Sequence, residues 1–386
     1  MEHTAVTVLE VGAILLAAAA AGWVARRLTL PAIVGYLAVG LAVSPFTPGY
    51  VADDTQVTLF AEVGAILLLF EVGIEVDLRL LRREHPAVLW ASPVQMAVTF
   101  GASFAAFAWL GLDPAAAALL GLAIAMSSSV VVVNITRSRR RTTDKQTERL
   151  LIGWAVLQDV VGVAAAITIL AAIGAGQPIE VTLLGLVAFG AIALLSARIL
   201  PRVLAGLRSD HDLFLAVSIA TGLTVAGAGA LFTGMPLALA AFVGGLTISN
   251  GPLATEARRR LLPFRDLFAI FFFVAIGTLI DPTALGNGFG WLVLSLALVL
   301  VAKTLVIYIL ARASRMPAHA GQLGVGLGQI GEFGFVLATV AVARGLLPDE
   351  AYAALLAAVA ISIAASSIVV RLMNSRTPAR SVAGVV

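Results

Sequence analysis

Residues 149–170 read RLLIGWAVLQDVVGVAAAITIL, an apolar run with one carboxylic acid, Asp159, near its middle. A run of about 20 apolar residues is long enough to cross a bilayer as a helix. A charged side chain at bilayer depth costs about 2.5–3.5 kcal/mol on insertion scales, so it needs a functional or structural reason. The stretch therefore predicts a transmembrane helix with a candidate functional carboxylate at its centre.

The composition of the whole chain agrees with a membrane protein. Of the 386 residues, 60% are hydrophobic and 12% are charged, whereas soluble domains carry about 25% charged residues. The net charge of +3 is small, and the basic residues form short clusters between apolar runs, which argues against a nucleic-acid partner. The chain has no cysteine, which excludes disulfides and thiolate metal sites.

Apolar runs separated by Pro, Gly or charged residues predict an all-α membrane protein with about thirteen spans. The second and ninth spans are short, and each begins at a proline, Pro31 and Pro236, a residue suited to the first turn of a helix. The predicted spans cover residues 5–25, 31–45, 57–76, 86–110, 114–134, 149–173, 179–200, 212–231, 236–250, 265–280, 289–311, 319–343 and 350–372.

The distribution of Lys and Arg predicts the orientation. With the N-terminus outside, all but two of the 25 basic residues fall in connections on one side of the membrane, and the exceptions are Lys303 and Arg344. Because basic connections stay in the cytoplasm, we expect a multi-pass protein of the cell (inner) membrane with its N-terminus outside and its C-terminus in the cytoplasm. We also expect one transmembrane domain over residues 1–376, a short cytosolic tail over 377–386 and no soluble regulatory domain.

Two spans are interrupted by polar residues and glycines. The fifth and twelfth spans lie seven apart, so they run in opposite directions, as expected of two inverted six-helix repeats joined by the seventh span. Interrupted helices expose carbonyls and helix ends to ions at mid-membrane, although small residues also serve simply for close helix packing. The predicted lining residues are Ser127, Ser128, Ser129, Gly328, Gln329 and Gly331.

Asp159 is the strongest candidate for chemistry. A carboxylate can hold a partly dehydrated monovalent cation or a proton, but not both at full strength, and this exclusivity predicts exchange of one for the other. Gln158 offers a neutral amide oxygen as a further ligand, although neighbouring helical side chains point about 100° apart. A passive cation channel, with the same carboxylate as its selectivity element, is the alternative.

Lys303 and Glu332 each leave two interpretations open. Lys303 is either the ion-pair partner of Asp159 or Glu332, or a second proton carrier. Glu332 either lies on the ion path or neutralises Lys303. No nucleophile with a paired base and no cofactor motif is evident, so we expect a secondary transporter rather than an enzyme. Glu71 and Glu75 precede a basic connection and are expected at a solvated helix end.

Several segments, in this order along the chain, resemble Kef-type potassium/proton antiporters of the second cation:proton antiporter family, which is related to sodium/proton exchangers. Residues 149–163, RLLIGWAVLQDVVGV, resemble that family's Gln-Asp signature. The other matching segments are AILLLFEVGIEVDLRL at 65–80, AMSSSVVVV at 125–133, FFFVAIGTLIDP at 271–282 and GLGQIGEFGFVL at 326–337.

The resemblance implies the sodium/proton antiporter fold, a homodimer, and an elevator-like movement of a core bundle against a dimerisation panel. It also implies that Asp159 binds the ion and the proton, that Gln158 is its polar neighbour, and that Lys303 faces the site. Sodium-selective relatives often have Asn-Asp or Asp-Asp where this chain has Gln-Asp, which favours potassium over sodium. Kef-type proteins usually continue into a nucleotide-binding domain, whereas the sequence here stops soon after Arg371, so the resemblance implies no gating by nucleotide or glutathione.

Overall fold

The computed structural model describes residues 2–28, 30–47, 54–75, 86–136, 143–173, 179–233, 236–249 and 252–373. Within these ranges the chain is helical and forms no strand. The basic connections at 76–85 and 137–142, and the predicted cytosolic tail, lie outside the described residues. The predicted orientation and the limits of the transmembrane domain therefore stay predictions.

The helices follow the thirteen predicted spans within the part of the chain that the structure describes. The fifth, eleventh and twelfth spans each contain more than one helical segment. In chain order the segments are α1 (Glu2–Arg27), α2 (Ala32–Ala42), α3 (Asp54–Glu75), α4 (Pro86–Trp109), α5 (Pro114–Ala125), α6 (Ser129–Thr136), α7 (Lys145–Ile173), α8 (Ile179–Gly206), α9 (His211–Thr233), α10 (Leu237–Leu246), α11 (Pro252–Thr278), α12 (Pro282–Asn287), α13 (Phe289–Leu298), the π-helical turn Val299–Thr304, α14 (Leu305–Ala313), α15 (Ala320–Leu327), α16 (Phe333–Ala343) and α17 (Asp349–Met373).

The lengths of these helices suit a membrane. Eight of the helices described are long and apolar enough to cross a bilayer, and four shorter apolar helices, α2, α5, α10 and α16, accompany them. α2 and α10 are preceded by Pro31 and Pro236, which have nearly the same backbone conformation, with φ of −60° and −57°. The two short spans predicted from these prolines are confirmed.

One predicted boundary is wrong by far more than the others. The tenth span was expected from residue 265, but α11 begins at Pro252 and so contains Arg258, Arg259 and Arg260. The basic residues support this extension, because Glu256 accepts hydrogen bonds from Arg259 at 2.9 Å and from Arg260 at 2.6 Å. Such pairs, three and four residues apart, stabilise a helix beyond its apolar part.

The helices divide into two bundles. The first bundle consists of α1–α3 and α8–α11, and the second consists of α4–α7 and α12–α17 with the π-helical turn. Among the helices described, α2 and α17 are the only pair from different bundles whose backbones come close at more than one or two positions. The bundles therefore meet mainly through side chains.

Two glycine contacts hold the first bundle together and display the inverted repeat. A Cβ on Gly40 would lie 2.7 Å from the Cα of Gly277, and one on Gly73 would lie 3.0 Å from the Cα of Gly245. The first contact joins α2 to α11 and the second joins α10 to α3. Exchanging α2 with α10 and α3 with α11 converts one contact into the other, as two inverted repeats require.

Aromatic rings fill much of the contact between the bundles, which we call the seam. Its rings are Phe242, Phe272 and Phe273 of the first bundle and Phe333 and Phe335 of the second. Phe242 lies 6.0 Å from Phe333, and Phe273 lies 6.0 Å from Phe335, both edge to face. A cavity of about 570 Å³ beside these rings is lined by residues of both bundles, including Glu62, Pro236, Phe272, Phe335 and Thr339.

Candidate ion-binding site

The two interrupted helices meet inside the second bundle. Met126–Ser128 separates α5 from α6, and Gly328–Glu332 separates α15 from α16; we call their meeting point the crossing. The backbone N–H of Gly331 donates to the carbonyl of Met126 at 3.1 Å. The hydroxyl of Ser127 donates to the carbonyl of Leu327 at 2.7 Å. The expected broken helices are therefore present and bonded to each other.

The side chain of Gln329 completes the crossing by replacing missing backbone partners. Its Oε1 accepts the N–H of Ser128 at 3.1 Å, and its Nε2 donates to the carbonyl of Ser128 at 3.2 Å. A backbone interrupted inside a membrane needs such partners, because unpaired N–H and C=O groups are costly there. Glycine is required at 331, since a Cβ there would lie 2.8 Å from the carbonyl carbon of Ser127.

Lys303 binds the crossing rather than a carboxylate. It is fully buried, and its Nζ donates to the carbonyls of Met126 at 2.7 Å and Gln329 at 2.6 Å. These carbonyls follow the C-terminal ends of α5 and α15, where a positive charge is favourable. Among the residues described, these bonds replace the expected ion pair with Asp159 or Glu332. The proton-carrier interpretation stays a prediction.

Asp159 lies in α7, and its side chain is buried, with 1% exposure. Within the part of the chain described, neither carboxylate oxygen makes a hydrogen bond of ordinary length and angle, and neither does the hydroxyl of Ser129. Ser129 and Glu332 are nonetheless the near polar neighbours of Asp159. Buried polar groups are nearly always paired, so a carboxylate with two unpaired oxygens is suited to take up a proton or a cation.

The acidic and the basic side chains around the crossing lie at opposite ends of the interrupted helices. Asp159 faces Ser129, the first residue of α6, and Glu332 is the residue that precedes α16. Both acidic side chains thus lie near helix N-termini, where negative charge is stabilised, while Lys303 lies near two C-termini. This arrangement suits binding of a cation between fixed carboxylates.

Gln158 belongs partly to a second polar network. Its Nε2 donates to Oε1 of Gln95 at 2.5 Å, and its own Oε1 is buried without a partner among the described residues. The amide oxygen of Gln158, the residue directly before Asp159, is therefore available as a ligand. Gln95 and its neighbour Thr99 were not predicted as site residues, because neutral polar residues inside a span give no charge signal.

A buried charge cluster of the first bundle faces the site. Glu71 is fully buried, and it accepts hydrogen bonds from Arg258 and, at 2.9 Å, from Arg265, while Arg258 also pairs with Glu75 at 2.8 Å. The expectation of a solvated helix end for Glu71 is therefore wrong. Glu75 lies within electrostatic range of Asp159, and Arg265 and Glu71 lie within range of Glu332.

Asp144 fixes the start of α7, the helix that carries Asp159. Its Oδ1 accepts the backbone N–H of Gln146 and of Thr147, both at 2.9 Å, and its Oδ2 accepts the Thr147 hydroxyl at 2.6 Å. Burial raises the pKa of Asp144, but these hydrogen bonds outweigh it, so the pKa lies below its ordinary value. His319, which precedes α15, lies 3.4 Å from the same carboxylate.

Comparisons with known proteins agree with this geometry. The family model "Sodium/hydrogen exchanger, transmembrane" matches residues 14–374. The chain is 32% identical to the putative cation/proton antiporter YbaL of Escherichia coli (strain K12), over 92% of this chain and 66% of that protein. It is 31% identical to the glutathione-regulated potassium-efflux system protein KefC of Salmonella heidelberg (strain SL476), over 91% of this chain and 58% of KefC.

The chain thus spans about three fifths to two thirds of the length of these relatives. Among solved structures, the sodium proton antiporter MjNhaP1 from Methanocaldococcus jannaschii superposes with a TM-score of 0.75, covering 97% of this chain and 99% of that one at 18% identity. The likeness shows that the two share a fold, which confirms the predicted fold class. On the match across nearly its whole length, this chain belongs to the sodium/hydrogen exchanger family of transmembrane proteins.

Proposed function

We propose that this chain is a secondary transporter that exchanges a monovalent cation for protons, with Asp159 as the group that binds either one. The observation that carries the proposal is a buried carboxylate with two unpartnered oxygens in the described structure. Such a group is poorly accommodated as a bare anion even near a helix N-terminus, because burying a charge without a hydrogen bond or an ion pair is costly. It therefore binds a proton or a cation in turn.

The neighbours of Asp159 supply the rest of the site. Glu332 and the hydroxyl of Ser129 lie close to Asp159, and Gln158 adds an amide oxygen that makes no hydrogen bond of ordinary geometry in the described structure. Hard monovalent cations take oxygen ligands of this kind. Lys303 has a different role, since it neutralises the carbonyl ends of the crossing and keeps the two interrupted helices in contact while the ligand at Asp159 changes.

Potassium is the favoured cation in this proposal, with sodium as the competitor. The Gln-Asp pair at 158–159 supports potassium, and so does the name of KefC, a potassium-efflux protein. The name of MjNhaP1, a sodium proton antiporter, supports sodium at the level of the shared fold. No partner other than lipid, the cation and protons is required, although a homodimer fits the resemblance to Kef-type antiporters.

The two bundles support an elevator-like cycle. Sparse backbone contact between them leaves the second bundle, which holds Asp159 and the crossing, able to move as one body against the first. The first bundle is held by glycine contacts at both repeats. In this proposal the site reaches each side of the membrane in turn, with the N-terminus outside and the C-terminus in the cytoplasm.

Reconstituted protein tests the proposal directly. In sealed liposomes, a gradient of potassium or sodium should drive protons uphill, and Asp159→Asn should abolish this movement while the protein stays folded. Asp113→Asn is the control, because Asp113 is an exposed residue that caps α5 away from the site. Exchange that persists in Asp159→Asn would refute the proposal, and a conductive flux without uphill proton movement would identify a passive channel instead.

A further inference from the structure

A continuous chain of buried hydrogen bonds connects α7 to α4 and to α5. Oε1 of Gln95 accepts hydrogen bonds from Nε2 of Gln158 at 2.5 Å and from the indole N–H of Trp154 at 3.3 Å. Nε2 of Gln95 donates to Oγ1 of Thr99 at 3.0 Å and to the carbonyl of Ala125 at 3.3 Å. All four polar side chains are fully buried, and Gln95 uses its entire hydrogen-bonding capacity.

The chemistry of the partners permits one orientation of this chain. An indole N–H only donates and a backbone carbonyl only accepts, so Trp154 fixes the side on which the Gln95 oxygen lies and Ala125 fixes the side of its NH₂ group. Gln158 must then donate to Gln95. Consequently the Oε1 of Gln158 points away from Gln95, and it is the buried oxygen that has no partner among the described residues.

The same chain continues to Lys303. Because Thr99 accepts from Gln95, its own hydroxyl proton is free to be donated, and it goes to the carbonyl of Ala302 at 2.7 Å. Ala302 lies in the π-helical turn Val299–Thr304, directly before Lys303. Turns of this kind interrupt the ordinary helical bonding and occur often at functional sites. Thr99 thus holds the turn from which Lys303 reaches the crossing.

We propose that Gln95 and Thr99 are positioning residues for cation exchange: Gln95 turns the amide oxygen of Gln158 towards the ion bound at Asp159, and Thr99 fixes the turn that carries Lys303. This inference rests on the proposed function and adds to it two residues of α4. A network that served stability alone would not need to end at two residues of the site. The consequence is that loss of either residue weakens cation binding more than it slows turnover.

Four variants test the proposal in liposomes, with proton movement recorded over a range of potassium and sodium concentrations. Thr99→Val removes the hydroxyl without changing the shape of the side chain, and Thr99→Ser keeps the hydroxyl. Gln95→Leu removes the network, and Gln95→Glu keeps an acceptor for Trp154 and Gln158. Ser103→Ala is the matched control, because Ser103 lies one turn further along α4, is equally buried and has an unpartnered hydroxyl in the described structure.

We expect Thr99→Val and Gln95→Leu to raise the apparent KM for the cation by about 10- to 100-fold, the usual cost of losing a residue that orients a ligand. Their maximal rate should change less. Thr99→Ser should restore the KM, Gln95→Glu should lie between Gln95→Leu and the unmodified protein, and Ser103→Ala should match the unmodified protein. If Gln95→Leu does not fold, the Thr99 pair and Gln95→Glu carry the test.

Three negative results are possible, and they differ in what they overturn. Unmodified protein that exchanges cations, together with folded Thr99→Val and Gln95→Glu variants of unchanged KM, would overturn this inference and leave the proposed function intact. The inference would also be overturned if Thr99→Val and Thr99→Ser raised the KM equally and lowered the maximal rate equally. That result would reveal a packing role for Thr99. Unmodified protein without any exchange would remove the proposed function and this inference with it.

Discussion

Lys303 places a hydrogen-bond donor among the carbonyls at the centre of the candidate site. Its two hydrogen bonds, to the carbonyls of Met126 and Gln329, join the ends of both interrupted helices. A lysine in this position therefore acts on the shape of the crossing, whereas in the proposed mechanism the charge that a transported ion meets comes from Asp159 and Glu332. The division of roles can be tested by keeping the donors and removing the charge.

We expect Lys303→Met to lose more exchange than Lys303→Gln. Glutamine keeps two N–H donors for the carbonyls, whereas methionine keeps none. A hydrogen bond from an uncharged donor is worth about 0.5–1.5 kcal/mol, so Lys303→Met should exchange at least about fivefold more slowly than Lys303→Gln. Proton movement in liposomes measures the difference, with Lys145→Met, an exposed lysine at the start of α7, as the control. Equal losses in both variants would contradict a bridging role.

Individual residues differ in how well the sequence predicts them. Asp159 and Lys303 were found because a charge inside an apolar run is visible in the sequence, and the structure describes both as buried. Gln95 and Thr99 carry no such signal. Glu71 was placed wrongly because its partners, Arg258 and Arg265, lie 187 and 194 positions along the chain, and only folding brings them together.

At the scale of elements, the crossing depends on backbone approaching backbone. Gly331 lies against Ser127, while Gln329 bonds both backbone groups of Ser128. The sequence predicted the two interruptions and their opposite directions from the density of serine and glycine. It could not predict that a side-chain amide would connect them, because that contact joins residues 201 positions apart.

We expect Gly331→Ala to destabilise the protein. The new Cβ would lie 2.8 Å from the carbonyl carbon of Ser127, and forcing an extra carbon into a packed interior typically costs about 1–3 kcal/mol. The midpoint of thermal unfolding in detergent should fall accordingly. Gly101→Ala is the matched control, since nothing lies within 4 Å of a Cβ there; a midpoint that falls equally in both variants would show that the crossing is not the cause.

The cap of α7 predicts a dependence of stability on pH. The pKa of Asp144 is lower in the folded protein than its ordinary value of 3.8, so its contribution is fully present at neutral pH and is lost as the pH falls through the lowered pKa. Asp144→Ala should cost about 0.5–2 kcal/mol at neutral pH, as for other N-caps.

The unfolding midpoints of the unmodified protein and Asp144→Ala should therefore converge in acid, when both are measured in the same detergent. Asp144→Asn serves as the control at neutral pH, because asparagine also caps helices. A difference between the unmodified protein and Asp144→Ala that stays constant down to strongly acidic pH would contradict the assignment of the lowered pKa to this cap.

At the scale of the whole molecule, the two bundles differ in the contacts that hold each of them together. The first bundle is held by close helix crossings at glycines, and the second by the crossing and the hydrogen bonds around it. Between them lie aromatic rings and a cavity. The number and order of spans followed from the sequence, but the grouping into two bundles did not, because it depends on contacts between distant spans.

Because the chain has no cysteine, cross-linking can test whether the bundles move. A pair of cysteines at Phe242 and Phe333, whose rings lie 6.0 Å apart across the seam, should stop exchange when joined by a short bifunctional thiol reagent. A pair at Phe60 and Phe271, 5.0 Å apart within the first bundle, should leave exchange unchanged. Full activity of the cross-linked seam pair would exclude relative movement of the bundles.

The glycine contacts of the first bundle also limit how the gene can vary. At positions 40, 73, 245 and 277 even one added methyl group would press on the facing backbone. A change to alanine is therefore already unfavourable, and so is any change to a larger residue. Leu16 on α1 and Leu194 on α8, by contrast, are exposed to the surroundings and could be replaced by many apolar residues. Random mutagenesis should therefore leave these four positions unchanged while exposed positions of the same bundle vary.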